Sequence, residues 1–151
     1  MPNANSFLRA IHTIYLMLFI FQTVILAFGS FVVFTEGTVL VDFGIPVIIP
    51  GCLAIAGFLA GTFIFKKKTE SLAIADKNLD EKLAGYQSAL ISRYALLEFP
   101  MFFSLFLFMG NGDYRYLLIS IAVLAVHLFL RPTKGNVCQT LNLTNLQRSE
   151  L

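Results

Sequence analysis

Residues 44–68 read GIPVIIPGCLAIAGFLAGTFIFKKK. No charged side chain interrupts residues 44–65, and Lys66, Lys67 and Lys68 then end the run together. About 20 apolar residues carry an α-helix across the roughly 30 Å of bilayer hydrocarbon, so this segment has the length and polarity of a membrane span. Its apolar residues are continuous, without the alternation that marks a membrane barrel strand. In lipid, backbone N–H and C=O groups must then find partners within the helix itself. The segment also carries a packing signal: Gly57 and Gly61 form a GxxxG motif, with Ala56 and Ala60 beside it. Small residues let helix backbones approach closely, either between chains or within one. Pro46 and Pro50 mark a bend or the true helix start near the opposite end.

Three more runs share this character. The expected spans are residues 8–34, 44–65, 86–109 and 113–130, an all-α antiparallel four-helix bundle made of two hairpins. Residues 1–131 form the membrane domain, with a loop at 66–85, and residues 132–151 form a tail. The last span is short: its uncharged stretch, residues 116–130, covers roughly 22 Å, so Arg115 and Arg131 are expected to snorkel to the two surfaces. Composition agrees. Of 151 residues, 57% are hydrophobic and 13% charged, against about 25% charged in soluble domains, and a chain this small could not bury that much apolar surface in water. The first run is too long for a signal peptide and no small-x-small site followed by polar chain closes it, so it reads as a retained span.

Basic residues set the orientation. Five lysines lie in residues 66–82, Arg9 precedes the first span, and Arg131, Lys134 and Arg148 follow the last. Residues 35–43 have no basic residue. Both termini and the 66–85 loop are therefore expected in the cytoplasm. Asn78, with Glu81 three residues on, has the form of a helix N-cap, which would start the third helix well before the membrane. Residues 71–76 offer a further short helical turn. Gly110-Asn111-Gly112-Asp113 is a tight-turn composition. The tail has two readings, a frayed end or a segment docked through Val137, Leu141, Leu143, Leu146 and Leu151.

Interior charge occurs only in the third span, where each charged group costs about 2.5–3.5 kcal/mol at the bilayer centre. Glu98 falls near mid-membrane, as does Gln22 of the first span. Arg93, His12 and His127 fall one to two turns inside the cytoplasmic surface. Arg93 and Glu98 lie about 7.5 Å apart along the axis and on different faces, poorly placed to pair. A membrane carboxylate can exchange a proton or hold a cation; equally, Glu98 can face Gln22, Tyr94 or another neighbour and lock the bundle. Pro100 frees the carbonyl of Leu96, and a kink there would open a polar cavity beside Glu98. Arg93 either snorkels to lipid phosphate or serves as counter-ion to a carboxylate. His12 and His127 match in depth, but paired interfacial histidines are common without haem, and no cofactor is expected. Cys52 and Cys138 form no metal-binding pattern, and Cys52 reads as a small packing residue. No metal site is expected. The small net charge of +2 argues against a nucleic-acid partner.

Ala95-Leu96-Leu97-Glu98-Phe99-Pro100, the Gly110-Asn111-Gly112 turn, and Arg131-Pro132-Thr133 followed by Leu141-Asn142-Leu143 together resemble a loose group of small bacterial four-span membrane proteins. The resemblance covers the last third of the chain. It implies a four-span fold in the bacterial inner membrane and names no reaction. Three functional classes follow. The leading expectation is a non-enzymatic component of a larger membrane complex, whose partners are the bilayer and other subunits or copies of itself. The second is a small transporter or ion-coupling protein working through Glu98. Small multidrug exporters, however, carry their carboxylate in the first span, where this chain has Gln22, and the glycine-ridged helices of rotary proteolipids are missing. The third is a membrane enzyme, and the paired cysteines of quinone-linked thiol oxidases are absent.

Overall fold

A computed structural model describes residues 4–38, 44–74 and 78–143, the side chains of 4–6 excepted. Among these residues the protein is all-α: α1 (Ala4–Glu36), α2 (Ile48–Ile74), α3 (Leu79–Asn111), α4 (Tyr114–Phe129) and α5 (Lys134–Thr140). Within α1, α2 and α3, Phe7–Glu36, Ile48–Ile74 and Leu79–Asn111 are long and apolar enough to cross a membrane. The fourth, α4, is apolar but has only 16 residues, roughly 24 Å of helix. The chain turns by 77° between α4 and α5.

Local chemistry sets the ends of these elements. Asn78 caps α3 by accepting from the Glu81 N–H at 2.9 Å. Gly112 closes α3 in the left-handed region (φ 69°), its N–H donating to Phe108 O at 2.8 Å, which a residue without Cβ does at little cost. Asp113 then caps α4. One expectation needs correcting here. The lysines at 66–68 do not end the second helix, which continues to Ile74; a helix can leave lipid and run on in water where its exposed residues are polar, as Lys66 and Glu70 are. Arg115 is exposed and lies in a close ion pair with Asp113 (2.6 Å).

α3 is the hub, packed against α1, α2 and α4. Its small and polar residues index the contacts. Gly57, Gly61 and Leu72 of α2 meet Leu96, Arg93 and Gly85 of α3 respectively. On the α4 side, the Ser104 hydroxyl donates to Tyr116 O, Ser120 to Met101 O, and Tyr94 to Leu130 O. Early residues of α3 thus pair with late residues of both neighbours. α1 buries one stripe, Ile11, Tyr15, Gln22, Gly29 and Val33, a helical spacing of one face. Its other faces stay exposed, with Phe21, Phe28, Phe31 and Phe34 each more than half accessible. In water such surface would be unfavourable by about 25 cal/mol per Å²; hydrocarbon covers it without that penalty. Cys52 is likewise exposed and is not a packing residue.

At one end the molecule is packed like a soluble core. Ile11, Leu72, Leu83, Tyr86, Val137, Leu141 and Leu143 belong to one buried cluster. The tail reaches it through α5, which ends with Asn142 at φ 47°. The Asn142 N–H donates to Gln139 O and the Leu143 N–H to Cys138 O, the two bonds of a Schellman cap, and Leu143 is turned inward as a result. Residues 133–143 therefore dock rather than fray. Leu146, Arg148 and Leu151 lie outside the described residues.

Candidate functional site

The buried stripe of α1 carries one strongly polar side chain, Gln22, which is 1% exposed. It meets Glu98 of α3, half-buried, in a side-chain hydrogen bond. Glu98 lies near the centre of the 33-residue α3. One oxygen of each group, Glu98 Oε1 and Gln22 Oε1, is buried with no hydrogen-bond partner. Buried acceptors without donors are unfavourable, each costing about 1–3 kcal/mol. A proton or a small cation on the free Glu98 oxygen would satisfy it, and that is the chemistry this carboxylate can perform.

The carbonyl that Pro100 frees, Leu96 O, faces α2, where a Cβ placed on Gly57 would come within 2.5 Å of it. Glycine at 57 thus lets the α2 backbone cover the carbonyl, on the side of α3 away from Gln22. The reading of Gly57 and Gly61 as a contact within one chain has geometry behind it, since both lie against α3.

A second polar group is enclosed by aromatic rings, among them Tyr94, one turn before Glu98 on α3. His127 of α4 is 1% exposed. Its ring stacks on Tyr94 at 4.5 Å (18°), with Tyr15 at 5.3 Å and Phe19 at 6.2 Å. Neither ring nitrogen has a hydrogen-bond partner. Tyr15 and Tyr94 use their hydroxyls elsewhere, on the carbonyls of His127 and Leu130. His12 touches this group through Tyr15, at 6.3 Å between rings, while its Nε2 faces Arg131 Nη2 at 3.5 Å. The two histidines are thus held in different surroundings, and among the described residues no cluster of three or more His, Cys, Asp or Glu could hold a metal.

Arg93 turns to α2, away from Glu98. Its Nη2 contacts Thr62 Oγ1 at 3.4 Å, and its guanidinium lies 5.1 Å over the Phe65 ring, a cation–π arrangement. Its Nε is buried without a partner. Among the described residues it makes no ion pair, the two that exist being Lys66–Glu70 and Asp113–Arg115.

The sequence pointed to Gln22, Glu98 and His127 by depth, with Gln22 or Tyr94 among the neighbours open to Glu98. The aromatic surroundings of His127 were not anticipated, although the signal exists. Tyr116, Ser120, Val123 and His127 are the buried residues of α4, spaced at 4, 3 and 4, so one polar-bearing helix face was open to reading. No protein-family model matches this chain, and neither the curated proteins nor the solved structures give a match.

Proposed function

We propose that the chain is a non-enzymatic, four-span helical membrane protein that binds a proton or small cation at Glu98 as part of an ion-coupled process. The observation that carries this reading is the unpartnered, buried Oε1 of Glu98, half-way along a helix long enough to cross a bilayer. In this reading α4 is the fourth span, short enough to thin the bilayer locally, and α5 lies along the interface. The lysine-rich end of α2 and the docked tail then face the bacterial cytoplasm, as the basic residues favour. The membrane concerned is the inner membrane.

The test is ion flux in proteoliposomes under an imposed proton or sodium gradient. Wild type is expected to dissipate one of the two gradients. Glu98→Gln, which keeps shape and hydrogen bonding, is expected to abolish the flux while its helical spectrum and detergent elution are unchanged. Equal flux in wild type and variant would remove Glu98 from the mechanism.

A second reading, a structural component of a larger membrane complex or homo-oligomer, is favoured by the exposed aromatic face of α1. Extended apolar faces of this kind suit protein contacts as well as lipid. Extraction in mild detergent separates the two: a chain that elutes alone at every concentration is not such a component.

A further inference from the structure

A second polar site lies at the lysine-bearing end, apart from Glu98. Where α4 stops and the chain turns into α5, a cleft of about 210 Å³ opens between α2, α3, α4 and α5. Arg93 and Arg131 both line it, and Tyr86, Asn136 and Thr140 add neutral polar groups. No Asp or Glu lines it. Neither arginine is ion-paired among the described residues. Arg93 Nε is buried without a hydrogen-bond partner, so Thr62 satisfies this guanidinium only in part. At the rim, Phe129 is 88% exposed and extends the cleft towards the apolar outer surface of the molecule.

We propose that this cleft binds a phosphate group carried by a small ester, the headgroup of an anionic phospholipid or a soluble phosphate ester. Two guanidinium forks with no competing carboxylate match the tetrahedral oxygens of phosphate, to which arginine donates charge-assisted, paired hydrogen bonds. The volume is below the roughly 300–1,000 Å³ of a drug-sized pocket, which suits a headgroup. Asn136 and Thr140 supply neutral donors, and Phe129 offers an apolar path for an acyl chain. Docking of α5 completes the cleft, which gives the buried tail a role besides stability.

The test is native mass spectrometry of the full chain released from a neutral detergent. Three probes are added separately: phosphatidylglycerol, phosphatidylcholine and inorganic phosphate. Phosphatidylglycerol is expected to be retained about tenfold more than phosphatidylcholine, a ratio that one charge-assisted contact supplies. If inorganic phosphate leaves that adduct in place, the ligand is the lipid headgroup; if inorganic phosphate itself binds and displaces it, the ligand is a soluble phosphate ester. Arg131→Gln, at an exposed position where folding is not at stake, is expected to reduce retention of the bound anion about tenfold, and Arg93→Lys to reduce it less. Equal retention of the two lipids with no binding of inorganic phosphate would overturn the proposal, as would retention indifferent to Arg131→Gln.

Discussion

His127 shows how an apolar interior makes single atoms costly. Its two ring nitrogens are sealed among Tyr15, Phe19 and Tyr94 without partners, and unmet buried polar atoms cost more than they return. His127→Phe keeps a flat ring in the same stack and removes both nitrogens. It is expected to leave the thermal midpoint in detergent unchanged or higher. A loss of more than about 1 kcal/mol would show that the imidazole has a partner, such as a buried water. Asp113 is the reverse case, a charge well provided for at the surface. The Arg115 side chain and backbone N–H hold its carboxyl below the ordinary aspartate range. A depressed acid stabilises the fold fully above its unfolded value, near 3.9, and loses that contribution as pH falls through its lower folded value. The Asp113 side-chain carbon signal is therefore expected to titrate below that of an exposed aspartate in the same sample, and the difference to shrink in Arg115→Gln. No difference between them would contradict the pairing.

Between elements, the contacts depend on how closely backbones approach. At Gly57 an added Cβ would press on the backbone oxygen of Leu96 at 2.5 Å; at Gly85 it would press on the end of the Leu72 side chain at 2.6 Å. A carbonyl fixed within α3 cannot withdraw, whereas a leucine can turn to another rotamer. Gly57→Ala is expected to destabilise by about 1–3 kcal/mol, and Gly85→Ala by less, as read from thermal melts in detergent. Equal effects would mean that α2 shifts freely along α3. The helices themselves were largely legible in the sequence: the cap at Asn78, the turn before Asp113 and the apolar runs are local signals. The extension of α2 past Lys68 was not legible, because hydropathy marks where a helix leaves lipid rather than where its hydrogen bonding stops. Nor could one chain reveal that the carbonyl freed by Pro100 is met by Gly57, since that depends on the register of two helices and not on either alone. Gln22 and Glu98 could be matched in depth but not in azimuth, and only packing brought them face to face.

Taken whole, the protein has two kinds of surface. Around the outward faces of α1 and α2, large apolar side chains such as Phe28, Phe31, Ile55 and Phe63 are exposed. At the lysine-bearing end, by contrast, Val137, Leu141 and Leu143 are withdrawn into a core as they would be in water. In the proposed reading Glu98 lies inside the lipid-facing layer, reachable through hydrocarbon and closed to bulk water. Carbodiimide labelling in intact membranes, read by mass spectrometry of the peptide containing Glu98, tests this most directly. A lipid-soluble carbodiimide is expected to modify Glu98, and a charged, water-soluble one to leave it untouched. Modification by both reagents at similar rates, or by the water-soluble reagent alone, would contradict the account.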